Sequence, residues 1–189
     1  MKLLLHICCA PCLTAPLEIL KNMPFAIQGF FYNPNIYPVD EYERRLMALK
    51  DYTEFINLPV SYIDYQPNEY LETLSDGTER PRCYYCYYLR LKKTAIFARE
   101  NGFNLYSTTL LLSPYQRHEL IIEIAEAISA EAGIPFFYRD FRASFYRAKD
   151  IAREYNIYRQ KYCGCVFSQN TNKQQRIKSR QVEYTDNVR

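Results

Sequence analysis

Tryptophan is absent from the 189-residue chain, and glycine occurs only five times. With ten prolines and 48% apolar residues, this composition excludes collagen-like, low-complexity and intrinsically disordered chains and leaves a folded globular protein. No Gly-rich loop of the kind that cradles phosphates is present, so ATP binding is not expected. Long apolar runs are missing as well. Leu3 to Leu5 and Leu110 to Leu112 fall far short of the roughly 20 residues of a membrane span, and no signal-peptide region opens the chain. A soluble, cytoplasmic protein with no membrane partner is therefore expected. A strong excess of either charge is also lacking: 24 Lys and Arg face 21 Asp and Glu, too mild a balance to announce a nucleic-acid partner. The length suits one α/β domain over residues 1–170 followed by a basic tail over 171–189.

The distribution of charge says more than its total. Arg80, Arg82, Arg90, Lys92 and Lys93 follow one another without an intervening acid, and the tail adds Lys173, Arg176, Lys178, Arg180 and Arg189 against Glu183 and Asp186. Many of the 19 tyrosines are interleaved with basic residues, as in Tyr84-Tyr85, Tyr87-Tyr88 and the run from Tyr155 to Tyr162. Tyr beside Arg suits stacking on bases and contact with phosphates. It suits a Tyr-rich surface and a solvated tail equally well.

Apolar patterning predicts strands over Lys2 to Cys8, Phe25 to Tyr32, Val60 to Tyr65, Phe103 to Leu111 and Ile134 to Phe141. Between and after them, helical spacing covers Thr14 to Met23, Val39 to Ile56, Pro81 to Glu100, Pro114 to Ala132 and about 145 to 160. Strands alternating with helices of this length predict βαβ units, hence a parallel sheet with helices on both faces. Ligands bind such sheets outside the carboxyl ends of the strands, near the switch in strand order. Cys8, Cys9 and Cys12 fall where the first strand ends, and Thr108-Thr109 and Asp140 fall near the ends of the fourth and fifth.

Seven cysteines in a reducing compartment do not make a disulfide framework, so metal binding or redox chemistry is the default reading. They are grouped as Cys8, Cys9 and Cys12, then Cys83-x-x-Cys86, then Cys163-x-Cys165. Cys83 and Cys86 open a helix after Pro81, where the helix end and Arg82 favour thiolates. Cys8 and Cys9 can share a site only if the backbone turns there, as Pro11 allows. Together the four would match the ligand complement of a 4Fe-4S cluster. A zinc-binding structural or RNA-binding module could instead use Cys9, Cys12, Cys83 and Cys86, although 70 residues separate the pairs. A thiol-disulfide oxidoreductase could use Cys9-Ala10-Pro11-Cys12 after a strand, leaving five cysteines without a role.

The cluster reading uses all three groups and is the most economical, and an ordered set of motifs bears on it. His6-x-Cys8-Cys9-Ala10-Pro11-Cys12, Tyr32-Asn33-Pro34-Asn35-Ile36 with Glu41-Tyr42 and Arg44, Arg82-Cys83-x-x-Cys86-Tyr87-x-x-Arg90-Leu91, Ser107-Thr108-Thr109-Leu110 with Ser113-Pro114-Tyr115-Gln116, Asp140-Phe141-Arg142 and Tyr162-Cys163-Gly164-Cys165 follow in sequence. The set resembles the QueH-type epoxyqueuosine reductases from residue 6 to about 170. The resemblance implies an adenine-nucleotide α-hydrolase (HUP-like) fold and the reduction of epoxyqueuosine to queuosine in the anticodon loop of tRNA. By motif position it implies a 4Fe-4S cluster on Cys8, Cys9, Cys83 and Cys86. It also implies a redox-active Cys163/Cys165 pair, present as a disulfide in one state or binding an additional iron with Cys12. Removing an epoxide oxygen as water takes two electrons and two protons, whereas one such cluster passes one electron at a time, so a second redox element and an electron donor are expected. An iron with an open position could also polarise the epoxide oxygen. Asp140 is a candidate acid or ligand, or simply the ion-pair partner of Arg142. His6, mid-strand in an apolar run, reads as a hydrogen-bonded core residue. Thr108 and Thr109 are candidate pocket residues. Arg80, Arg82, Arg90, Lys92, Lys93 and the tail would then contact tRNA phosphates.

Overall fold

The computed structural model describes residues 1–75 and 81–168. Its elements are β1 (Lys2–His6), α1 (Ala10–Lys21), β2 (Ala26–Phe31), α2 (Val39–Phe55), β3 (Val60–Tyr62), α3 (Pro67–Ser75), α4 (Arg82–Glu100), β4 (Leu105–Thr108), α5 (His118–Ala132) and α6 (Phe145–Glu154). Leu3, Leu4 and Leu5 are each fully buried, so β1 has no polar face. That is what a central parallel strand between two helix layers requires. The sheet runs β3-β2-β1-β4, all parallel, with Leu5 opposite Gly29 on one side and Ser107 on the other. Gly29 is needed there: a Cβ would meet Ile7 Cδ1 at 2.6 Å and Val60 Cγ2 at 2.8 Å.

Strand order reverses between β1 and β4, and this reversal positions the site. Right-handed crossovers that progress outward from β1 through β2 to β3 place α1 and α2 on one face, and the return to β4 places α4 on the other. α1 packs against α6, and α4 against α5, β1 and β4. Phe30, Phe31, Leu13, Leu91, Tyr106 and Ile121 fill the core between the layers. The carboxyl ends of β1 and β4 therefore open side by side at the switch point.

Four sequence expectations are corrected. Ile134 to Phe141 does not form a full fifth strand: only a single parallel bridge joins Tyr106 to Phe136, where Pro135 offers a carbonyl but no N–H. The fourth strand stops at Thr108, whose hydroxyl accepts from the Leu110 amide and starts a 3-10 turn over Thr109–Leu112. α3 lies between Tyr65 and Pro81, where the patterning predicts no element, opened by Pro67 and anchored by buried Tyr70. α1 starts at Ala10 rather than Thr14, with Pro11 in its first turn. The basic tail lies outside the described residues, as does Arg80.

Candidate metal centre

The chain leaves β1 at His6 and turns sharply, with Cys9 extended at φ −173° and ψ 161° just before α1. The turn brings neighbouring side chains to one side, and Cys8 Sγ lies 3.8 Å from Cys9 Sγ. Cys12, in the first turn of α1, joins them, so that the three sulfurs lie within 4.8 Å of one another. Thr109, just past β4, locks the loop from across the switch point: its hydroxyl accepts from the Cys8 amide at 3.1 Å and donates to Cys8 Sγ at 3.3 Å. Below them, His6 is fully buried, with Nδ1 2.9 Å from Thr108 Oγ1 and Nε2 3.2 Å from the Tyr32 carbonyl. Burial, helped by the charge of Arg90, lowers its pKa to about 4, so it is a neutral core residue.

Three thiols this close share charge unequally. Hydrogen bonds from Cys12 and Cys9 hold the Cys8 thiol well below its ordinary value, and Thr109 adds to them. Burial pushes Cys9 up, and the bond to Cys8 pushes Cys12 up. Cys8 is thus the most readily ionised of the three, with two neighbours as donors. A compact, largely buried set of soft sulfur ligands, one of them held toward its ionised form, fits a thiophilic metal.

Cys83 and Cys86 occupy the first turn of α4, after Pro81. The helix end was expected to favour their thiolates, but at Cys86 burial outweighs it and pushes the thiol up to about 11. The compensating charge is Arg90, one turn later and only 4% exposed. Its Nη2 donates to Cys86 Sγ at 3.0 Å and its Nε to the Cys86 carbonyl at 2.8 Å, while Nη1 reaches Asn33 Oδ1 at 3.5 Å. Asn33 in turn donates to the Ile7 carbonyl at 2.9 Å. Arg90 is therefore corrected from a phosphate contact to a buried strut between α4 and the loops after β1 and β2.

The third cysteine group is held from a distance. Cys163 Sγ and Cys165 Sγ lie 3.8 Å apart, and all seven cysteines are free, so no disulfide is present. A hydrogen bond from Cys163 lowers the Cys165 pKa to about 5, with Ser168 assisting, and Cys163 rises in return. The loop is pinned by Arg45, 2% exposed, whose Nη1 and Nη2 donate to the carbonyls of Cys163 and Tyr162 at 3.1 and 3.0 Å. Arg45 Nε bonds Glu41 at 2.8 Å, and Glu41 also accepts from Tyr158 at 2.6 Å. Gly164 passes directly over this strut at φ +122°, where a Cβ would meet Arg45 Nη1 at 3.0 Å. Cys12, which the resemblance implies as a partner of this pair for an additional iron, lies within 4.8 Å of Cys8 and Cys9. Gln160, which sequence reading passed over, donates from Nε2 to Cys9 Sγ at 2.9 Å. Its nearness to Cys163 was the available signal; for Arg45 it was the i, i+4 spacing from Glu41.

Of the two readings of Asp140, the structure shows the ion pair with Arg142. Arg142 Nη2 donates to Asp140 at 2.7 Å, and this bonding lowers its pKa to about 2, so it carries no proton at neutral pH. Among the remaining basic residues, Arg82 and Lys93 are exposed, lying over the rings of Phe167 and Tyr32. Lys92 is paired with Glu131 at 2.9 Å and bonded to Tyr88.

A model of the family described as Epoxyqueuosine reductase QueH matches residues 3–171. The chain belongs to the QueH family. Epoxyqueuosine reductase QueH of Dehalococcoides mccartyi is 35% identical over 169 residues, covering 89% of this chain and 92% of its own. The QueH of Thermotoga maritima is 36% identical over 176 residues, covering 87% and 88%. Family membership sets aside the zinc module and the thiol-disulfide oxidoreductase that cysteine spacing left open. Among solved structures, a predicted tRNA methyltransferase subunit from Methanocaldococcus jannaschii superposes with a TM-score of 0.54 at 10% identity, over 82% of this chain and 75% of that one. The U34-tRNA thiolase NcsA from Methanococcus maripaludis, solved with its 4Fe-4S cluster, gives 0.53 at 13% identity, over 85% and 58%. At these identities the likeness is one of fold, and it bears out the adenine-nucleotide α-hydrolase type of sheet. No helix among the described residues is long and apolar enough to cross a membrane.

Proposed function

We propose that this QueH-family chain is a cytoplasmic oxidoreductase that reduces the epoxide of epoxyqueuosine, in the anticodon loop of tRNA, to queuosine. The single observation that carries the proposal is the gathering of Cys8, Cys9 and Cys12 at the sheet's switch point in a chain of this family. The overall change adds two electrons and two protons and releases the epoxide oxygen as water, leaving an alkene. An external donor supplies the electrons.

The chemistry of the donor set, all soft sulfurs with Cys86 beside a buried arginine, supports a 4Fe-4S cluster that Cys8, Cys9, Cys83 and Cys86 would hold and that when bound would supply one-electron transfer. Arg90 favours the thiolate of Cys86 against burial, and Thr109 orients Cys8. Cys165, held toward thiolate beside Cys163, is the second redox element: the pair, one thiol and one thiolate, can release two electrons and one proton on forming a disulfide, the second proton coming from solvent, or can hold an additional iron. Arg82 and Lys93, exposed on α4, would meet tRNA phosphates. An unstacked anticodon base suits access to a site at the carboxyl ends of the strands.

Oxygen-free purification tests this directly. A broad band near 400 nm that bleaches with dithionite, with about four irons and four sulfides per chain, is expected for one cluster, together with conversion of epoxyqueuosine-bearing tRNA. Stoichiometric zinc without colour, or no metal after anaerobic reconstitution, would refute it.

A further inference from the structure

The amide of Gln160 sits among the cysteines and is only half satisfied. Nε2 lies 2.9 Å from Cys9 Sγ and 3.8 Å from Cys12 Sγ, while Oε1 is buried with no hydrogen-bond partner. A buried unpaired acceptor lowers stability, and a leucine at this position would fill much the same space without that loss. An orphaned polar atom of this kind calls for a functional account. The polar atoms that Gln160 serves through its side chain are sulfurs.

We propose that Gln160 is a positioning residue that donates an N–H···S bond to Cys9 as a metal-bound thiolate and thereby raises the reduction potential of the centre Cys9 helps to hold. The inference rests on the proposed assignment of Cys9 as a cluster ligand. Its direction follows from elementary electrostatics. The positive end of the N–H dipole faces a sulfur whose negative charge grows on reduction, so the bond stabilises the reduced form more than the oxidised one. Gln160 also lies between two pinned points of the chain, Tyr158 bonded to Glu41 and Tyr162 bonded to Arg45. The same struts that place the Cys163/Cys165 loop therefore hold the amide against Cys9. A centre that must accept an electron from a donor and pass it on is sensitive to this placement.

The test compares cluster-loaded wild type with Gln160→Leu, Gln160→Asn and Gln160→Glu, each titrated anaerobically with dithionite. Visible absorbance and electron paramagnetic resonance report the midpoint, and iron, sulfide and thermal melting are recorded alongside. Gln160→Leu should keep the wild-type iron and sulfide content and melt no lower, yet show a more negative midpoint. Gln160→Asn, one methylene too short to reach, should match it. Gln160→Glu, which brings charge and no amide donor, should be the most negative of the three. Midpoints equal to wild type in Gln160→Leu and Gln160→Asn at equal iron and sulfide would overturn the proposal. Where Gln160→Leu does not load, Gln160→Asn alone decides in the same way. Wild-type protein without a reducible cluster would overturn the cofactor assignment, and this inference with it.

Discussion

Replacing Arg45 with methionine should show how far the cysteine loop depends on a single buried cation. Arg45 and Glu41 are 2% and 3% exposed, and the arginine also donates to the carbonyls of Tyr162 and Cys163. Breaking a buried pair by removing one partner typically costs about 3–5 kcal/mol, because the other charge stays buried. Glu41 retains Tyr158 and, at 3.2 Å, the half-exposed Arg44, so the lower end of that range, about 3 kcal/mol, is the expected loss here. With a urea slope of about 2 kcal/mol per molar, the unfolding midpoint should fall by about 1.5 M. Arg45→Met combined with Glu41→Gln should recover part of this, since the double variant leaves no buried carboxylate. It should not recover all of it, because the two loop carbonyls remain without their donor. Oxygen-free urea titration followed by circular dichroism, with alkylation of Cys163 as a local probe, reads both effects. A midpoint shift under about 0.5 M with unchanged Cys163 reactivity would refute the strut. A double variant no more stable than Arg45→Met would refute the buried carboxylate as the source of the loss.

Glu41 also sets a pH signature. Burial alone would raise its pKa, but the hydrogen bond from Tyr158 and the charge of Arg45 win and lower it from 4.5. A lowered folded-state pKa means stability that is present above the unfolded value and lost as pH falls through the folded one. Acid titration of stability should therefore show a component in wild type below about pH 5 that Glu41→Gln lacks. Gly164→Ala should lower stability by about 1–3 kcal/mol, through positive φ and contact with Arg45, and should loosen the Cys163/Cys165 spacing measured by crosslinking. Gly29→Ala should cost a similar amount by overpacking against Ile7 and Val60, read as a lower melting temperature. Arg82→Gln and Lys93→Gln should each flatten the salt dependence of tRNA binding by about one unit of log–log slope, and Lys92→Gln, already paired with Glu131, should change it less.

The parallel sheet and its order of elements were legible because β1 and β2 read as strongly apolar runs and because Gly102 and Gly133 punctuate the helices at positive φ. Ile134 to Phe141 misled because composition resembles a strand whether or not a neighbour is available, and Pro135 removes a donor where pairing would have to continue. The grouping of the cysteines was visible, but their mutual arrangement was not. Cys8, Cys9 and Cys12 meet because one extended residue precedes α1, a backbone detail that spacing does not encode. The most instructive case is Arg90. Among Arg82, Lys92 and Lys93 it looks like one more surface cation, and only the helical phase, which aims it at Cys86 four residues earlier, distinguishes it. An arginine that can offer its fork to a sulfur and a carbonyl on the preceding turn need not be exposed to be satisfied. Its charge, held against Cys86, in turn offsets the burial that pushes that thiol up, as the proposed ligand role requires. Charge runs next to cysteine motifs should accordingly be divided by helical face before they are read as a nucleic-acid surface.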